Sequence, residues 1–528
     1  MQTSDSPASL QKKPFFFSGK VLLNLLIFCA VCVWFGIFAR FGFDAHHDGV
    51  MLGAAAAVAQ GKLLFKEVFC QYGPLAVWIQ SIPVRLFGAE DIVIKYTTVL
   101  FYGGIALLGA SVWNRFLAPK FRWLWYACFL MLCPFYIVPF HPWSSVYALF
   151  FMLLGTELQL RFLEGGKGQL LFWSGVCAGA AFLCRTPCGL VAFGAGAVVL
   201  FLRGVCASGP RPFAPLIPYA GGTAAVGGLF ALYLTSAGAW QDYFRQCFTF
   251  IFRFVVKRGG SWSWTQFSDS MFPLTGASGW TNCIFAFLPL LVIGAVLLTV
   301  RPLFYGKKEE FASKLPLLAV LLLALGSWHQ YFPVPCVRHL YWAAIPAFGC
   351  YALTVQGICR MKRPPLTRGL LLLLLAVPLL YCFLFRAQVI GKYFEKLPLR
   401  VTGTAPSIRH LWIFPGEQAV FSGLNNAFMS LPPEIRRRGV LNHTPDGIYS
   451  CLLPPPAGFR HPMFVNWGDQ VYPDYGAAAE ALIKKMRPCV LSAELSALPG
   501  YTILTGFRYF DKEYRLFVPE EAFTSGEK

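Results

Sequence analysis

Polar residues in this chain are gathered into short clusters between apolar runs of about 20 residues, a spacing kept through the first 390 positions. A run of that length, coiled as a helix, crosses a hydrocarbon core of roughly 30 Å. The pattern predicts about eleven spans, at 21–40, 93–113, 123–140, 145–160, 169–184, 189–203, 214–236, 281–300, 315–329, 340–356 and 369–386. Three stretches interrupt it. In the loop 41–92, Asp48-Gly49 opens the run VMLGAAAAVAQ, closed by Gly61, and Gly73-Pro74 opens LAVWIQSIPVRLF, closed by Gly88. Pro at a helix start and Gly past its end are the expected punctuation, so two helices lying along the membrane surface are predicted there. The loop 237–280 places Phe244, Phe248, Phe252 and Val255 on one helical face among Arg245, Arg253, Lys257 and Arg258, as in an interfacial anchor or a receiver of lipid phosphate. From about 390 onward PMFVNWG, PCVLSAE, YTILTGFRYF and YRLFVPE read as strands and YGAAAEALIKKMR as a helix, giving a small α/β domain.

Composition agrees with the spans: of 528 residues, 56% are hydrophobic and 13% charged, against roughly a quarter charged in an average soluble domain. The net charge of +20 would suggest nucleic acid in a soluble protein, but the basic residues sit between spans. Arg115, Lys120 and Arg122; Arg161 and Lys167; Arg203 and Arg211; Arg301, Lys307, Lys308 and Lys314; and Arg360, Lys362, Arg363 and Arg368 fall on alternate connections. The positive-inside rule makes that set cytoplasmic, with the N-terminus inside and the C-terminus outside. The charge therefore records topology and excludes nucleic acid as a partner. The organisation expected is a cytoplasmic arm at 1–20, a membrane domain at 21–390 and an extracytoplasmic α/β domain at 391–528. The first apolar run is expected to stay as a helix, since it has full span length and no cleavage pattern follows it. The 17 cysteines lie mostly in apolar runs, without a CxxC pair; Cys451 and Cys489 are candidates for a disulfide in an oxidising compartment. Asn442-His443-Thr444 fits the short glycosylation pattern.

Candidate chemistry begins at FDAHHDGVML, where Asp44, His46, His47 and Asp48 follow the first span directly. Asp48 could simply cap the helix that it precedes. A capping role leaves the second aspartate and the histidines unexplained, and a carboxylate at the membrane surface can take the proton of an attacking hydroxyl. If the segment is extended, His46 and His47 point to opposite sides and do not share one metal ion easily. Arg185, in FLCRTPCGL, lies on the outer side by this topology, against the charge bias. It either snorkels to headgroups or holds a substrate phosphate through bidentate hydrogen bonds. The C-terminal domain has no nucleophile elbow, phosphate-binding glycine loop or metal-ligand spacing.

The stretch HHDGVMLGAAAAVAQGKLLFKEVFCQYGPL resembles the first outer loop of polytopic glycosyltransferases with the GT-C architecture. These are the dolichyl-phosphate-mannose-dependent protein mannosyltransferases and bacterial relatives such as the aminoarabinose transferases of lipid A. FLCRTPCGL, and RHLYWAAIP at 338–346, extend the resemblance over most of the first 390 residues. The resemblance implies an all-α polytopic fold in a bacterial inner membrane. It also implies inverting transfer of a sugar from a polyprenyl-phosphate carrier to a lipid, glycan or protein hydroxyl on the non-cytoplasmic face. Asp48, with Asp44 as a second carboxylate, takes the catalytic role. Arg185, His47, Gln71, Tyr72, Arg338 and His339 are the expected substrate-binding residues. No nucleotide cofactor is implied, while a divalent metal beside the carboxylates is allowed. Two features depart from the family pattern. Ser144 and Ser145 stand where many relatives carry a second acidic residue, and Gln71-Tyr72-Gly73 stands where aminoarabinose transferases carry an acidic-basic pair. The competing readings are a transporter or flippase for a lipid-linked glycan, favoured by inverted repeats that the sequence lacks, and a non-catalytic scaffold for envelope assembly.

Overall fold

The computed structural model describes residues 19–206, 212–253, 280–331, 337–459, 471–509 and 512–524. The predicted strand PMFVNWG, the cations Lys12, Lys13, Arg211, Lys257 and Arg258, and Val255 of the predicted helical face lie outside these residues. The chain opens with α1 (Gly19–Ala39), α2 (His47–Ala59), α3 (Pro74–Phe87), α4 (Asp91–Trp113) and α5 (Arg122–Met131). It continues through α6 (Ser144–Leu163), α7 (Gln169–Cys184), α8 (Thr186–Cys206), α9 (Leu216–Ser236) and α10 (Trp240–Phe244), the last running into a π-helical turn at Arg245–Thr249. There follow α11 (Cys283–Phe304), α12 (Lys308–Ser327), α13 (Val337–Ala344), α14 (Phe348–Arg360) and α15 (Pro365–Glu395).

Among the described residues nine helices are long and apolar enough to cross a membrane. Several turn leucines outward in helical register: Leu366, Leu370, Leu373, Leu374, Val377, Leu380 and Leu384 are exposed along α15. Such a stripe belongs against lipid, where exposed apolar side chains carry no hydration cost. Two predicted spans are shorter than a crossing. α7 has 16 residues. α5 has ten, roughly 15 Å of helix, because Pro134 cannot continue it. After a single turn at Pro134–Tyr136, residues 137–143 run as irregular backbone, with Phe140, His141 and Trp143 buried. Irregular backbone at membrane depth is tolerated where protein rather than lipid surrounds it.

The first of the two first-loop helices differs from the expectation of a surface helix, whereas α3 keeps Ile82, Leu86 and Phe87 exposed. α2 is buried continuously from Asp48 to Ala57, so its alanine run makes room for neighbours on every side. Small residues perform the same service in the bundle. A Cβ on Gly175 of α7 would lie 1.9 Å from the Tyr219 carbonyl of α9, and one on Gly222 of α9 would lie 2.0 Å from the Phe172 carbonyl of α7. The two helices therefore touch backbone to backbone.

The C-terminal portion carries a short pair, β1 (Val401–Thr402) with β2 (Trp412–Ile413), and a four-stranded sheet. The sheet comprises β3 (Val440–His443), β4 (Cys489–Ser492), β5 (Tyr501–Tyr509) and β6 (Lys512–Pro519), in the order β3-β4-β6-β5. β3 and β4 are parallel and the other pairings antiparallel, with α16 (Pro415–Met429) and α17 (Tyr475–Met486) beside them. Cys451 and Cys489 are free thiols, Cys451 packing toward the Gly49 carbonyl and Cys489 buried in β4, so the anticipated disulfide is not formed. Asn442 is buried and donates to Ser450 Oγ and the Asp446 carbonyl, a position closed to a glycan. The sheet core also takes in Phe43 and Ala45 from the first loop and Ile92 from the start of α4. Trp412 bonds the chain after α1 on both sides, its N–H to the Arg40 carbonyl and its carbonyl to the Gly42 N–H. The end of the bundle that bears the first loop is thus covered by the C-terminal portion.

Candidate active site

At the start of α2 the two aspartates divide the work of capping. Asp44 Oδ1 accepts the backbone N–H of His46 (3.0 Å) and of His47 (2.8 Å), while Asp48 Oδ2 accepts the N–H of Asp44 (3.0 Å). Asp44 rather than Asp48 satisfies the first free donors of the helix. The segment is a helix start and not extended, so the imidazoles of His46 and His47 sit edge to face at 4.8 Å instead of on opposite sides.

Asp48 is 0% exposed and is the centre of a buried charge cluster. Its Oδ2 lies 3.1 Å from Lys95 Nζ, and its Oδ1 receives His141 Nδ1 at 3.0 Å. The same ammonium lies 2.8 Å from Asp91 Oδ2 and donates to the Gly42 carbonyl at 2.8 Å. Burial works against the charge of Asp48, but Lys95 and His141 outweigh it and hold the carboxyl below its ordinary range. Burial pushes His141 down against the pull of Asp48, which keeps the ring neutral with its proton on Nδ1.

Asp44 retains 22% side-chain exposure. Its Oδ2 accepts His47 Nδ1 at 2.9 Å and faces the Arg338 guanidinium at 4.0 Å. Burial would raise this carboxyl, and the hydrogen bond and charge of His47 hold it far below the usual carboxylate range. Burial and neighbouring His47 push His46 down, and its Nδ1–H donates to the Pro445 carbonyl.

From His47 an aromatic path leads to the second predicted site. The His47 ring packs on Trp143 at 5.2 Å, and Trp143 packs on Tyr72 at 5.1 Å. The Arg185 guanidinium lies over the Tyr72 ring at 5.6 Å and donates to Ser145 Oγ. Arg185 alone links α7 to α8, in extended conformation at the C-cap of α7, so its side chain emerges at the helix ends. Gly73 brings the QYG turn there: a Cβ on it would meet the Leu183 carbonyl at 2.0 Å. Gln71 bonds Tyr72, whose phenol burial raises to about 12 despite Arg185 nearby. The structure therefore gathers Asp44, His47, Asp48, Gln71, Tyr72, Arg185 and Arg338. His339 lies against Trp342, at 5.7 Å between rings.

Five participants were not foreseen. His141 and Trp143 lie just beyond the supposed span 123–140, in the connection HPWSS that the sequence marks only as poor in charge, although Pro134 and Pro139 break that span. Lys95 and Asp91, spaced i,i+4 at the start of α4, carried a legible helical ion-pair signal whose third partner was not. Ser145 appeared only as a departure from the family pattern. Among the described residues no three His, Cys, Asp or Glu side chains are placed to hold a metal ion. The Lys95 ammonium already stands between Asp48 and Asp91, so this donor set does not suit a divalent cation.

No protein family model matches the chain, and no curated protein matches its sequence. Among solved structures, ArnT from Cupriavidus metallidurans bound to undecaprenyl phosphate superposes with a TM-score of 0.52 at 14% identity, over 94% of this chain and 98% of that one. The same enzyme in the apo state gives 0.45 at 15% identity, again over 94% and 98%. The Archaeoglobus fulgidus oligosaccharyltransferase tethered to an acceptor peptide gives 0.43 at 11% identity, over 90% of this chain and 69% of that one. The architecture is that of a multi-pass membrane protein that shares the fold of ArnT.

Proposed function

We propose that this GT-C-fold membrane protein is a glycosyltransferase. In this reading it moves a sugar from a polyprenyl-phosphate carrier to an acceptor hydroxyl on the non-cytoplasmic face, with inversion at the anomeric carbon. The observation that carries the reading is the meeting of two carboxylates and two arginines, drawn from three separate segments, at the end of the bundle covered by the C-terminal portion. The undecaprenyl phosphate bound to ArnT, whose fold is shared here, supports the choice of donor.

The residues divide by accessibility. Arg185, held by Ser145 and Tyr72, and Arg338 face the donor phosphate and stabilise the charge that leaves with it. Asp48 has both oxygens engaged and acts as the fixed centre that positions His141 and the turn carrying Asp44. Asp44 is the more exposed carboxylate and orients the acceptor hydroxyl. The acceptor oxygen bonds to the anomeric carbon as the bond from that carbon to the phosphate oxygen breaks. The hydroxyl proton passes to Asp44 and the polyprenyl phosphate departs as the anion. A carboxylate held far below its ordinary pKa suffices as acceptor, because the oxonium formed with the new bond is far more acidic than a carboxylic acid.

Binding of undecaprenyl phosphate to the full-length protein in nanodiscs tests the donor side. Arg185→Ala is expected to weaken it by about 10- to 100-fold, the loss of one or two charge-assisted hydrogen bonds. Unchanged affinity would return Arg185 to a headgroup role. Asp44→Asn is expected to bind the lipid normally and to lose turnover of polyprenyl-phosphate sugars.

A further inference from the structure

The first loop and the C-terminal portion flank an open cavity of about 360 Å³, lined by Asp44 and His46 from the former, by Asp446, Tyr509, Lys512 and Tyr514 from the latter, and by Pro139. The size is that of a pocket which buries a small organic ligand, roughly 300–1,000 Å³. Its walls are rigidly joined. The Ile448 N–H bonds the Ala45 carbonyl at 3.0 Å, and His46 donates to the Pro445 carbonyl at 2.5 Å. Gly49 packs so closely that a Cβ on it would lie 2.0 Å from Ile448 N. Tyr514 Oη donates to Asp446 Oδ2 at 2.5 Å, fixing that carboxylate in the wall.

The lining sorts the ligands that fit. Two carboxylates against one lysine disfavour a phosphate, and the arginines that suit one, Arg185 and Arg338, are not among the lining residues. Carboxylates accept hydrogen bonds from neighbouring hydroxyls, and tyrosine rings offer flat apolar faces to the C–H face of a pyranose. Asp44 belongs to both places: it faces Arg338 and it lines the cavity. We infer that this cavity is the acceptor subsite and takes a neutral saccharide, one of whose hydroxyls reaches Asp44, with the C-terminal portion supplying the recognition through Asp446 and Tyr509. The inference rests on the transferase reading and names the acceptor class that it left open.

Saturation-transfer NMR on the full-length protein in nanodiscs, with the methyl pyranosides of glucose, galactose, mannose and glucosamine, tests it. At least one neutral pyranoside is expected to show saturation transfer, weakened fivefold or more in affinity by Asp446→Asn and by Tyr509→Leu. Undecaprenyl phosphate should bind both variants within twofold of the parent, which also shows that they are folded. No signal with any neutral pyranoside, a signal with glucosamine alone, or signals unmoved by both substitutions would overturn the inference. So would displacement of the pyranoside by polyprenyl-phosphate mannose, which would give the cavity to the donor sugar. A parent protein that binds pyranosides but not undecaprenyl phosphate would sink the donor reading and leave the saccharide cavity standing.

Discussion

With Asp48 at 3.1 Å and Asp91 at 2.8 Å from one fully buried ammonium, the two substitutions that break this cluster differ in what they leave behind. Lys95→Met strands two carboxylates without a cation, whereas Asp48→Asn leaves the Lys95 and Asp91 pair intact. Removing one partner of a buried ion pair costs about 3–5 kcal/mol, so Lys95→Met should reach or exceed the top of that range and Asp48→Asn fall near the bottom. Thermal unfolding of the purified variants orders them; an equal or reversed order would mean that Asp91 does not share the charge. The histidines give the pH dependence. His46 and His141 are both pushed below their ordinary 6.5, so the unfolded chain takes up protons at these positions before the folded one does. Stability should therefore fall as pH drops from about 7.5 through 6.5 toward 5.5. Asp44 and Asp48 are held below their ordinary 3.8, stay charged across that window, and lose their contribution only at more acid pH. His46→Asn should flatten the decline in melting temperature; a slope equal to the parent's would remove His46 from the account.

The short elements around the site are set by close approach. Gly73 is not needed for its dihedrals, since its φ of −68° suits any residue; it is needed because the Leu183 carbonyl occupies the place of a Cβ. Gly73→Ala should push Tyr72 away from Arg185, lower the melting temperature by several degrees and weaken undecaprenyl phosphate binding, both readable on one preparation. Unchanged binding would detach the QYG turn from the donor site. At this scale the sequence was only partly legible. Gly and Pro placed α2 and α3 correctly, because their chemistry is local. The burial of α2 was not visible, since an alanine run looks alike against lipid and against protein. The apolar run 123–140 reads as one span because hydropathy weighs Phe, Ile and Val without regard to the prolines among them, and the irregular backbone that carries the chain on to His141 and Trp143 is not visible in it. Asp44, Asp48 and Arg185 were recognisable because charge beside an apolar run is rare. Lys95 was overlooked because one lysine at a helix start is not.

Across the whole molecule, α4 and α6 both start at the end bearing Asp48 and finish at a second charge cluster, where Arg115 pairs with Glu157 at 2.6 Å and with Glu164 at 2.8 Å. If the basic connections face the cytoplasm, a membrane-impermeant maleimide should label Arg508→Cys on β5 in intact cells and Lys308→Cys only after permeabilisation. The opposite pattern would invert the proposed topology. The strands β4, β5 and β6 and helix α17 were legible, because ordinary composition returns in the tail and short runs of β-branched and aromatic residues stand between turn residues. Their docking on the first loop was not, since contacts such as Cys451 to Gly49 join residues 402 positions apart. That separation has a consequence for synthesis. The turn holding Asp44 leaves the ribosome well before its covering loop at Pro445–Ile448 does. A nascent chain that has inserted the helices of its bundle thus remains without one wall of its own cavity, and any activity waits until that loop has been made and has docked.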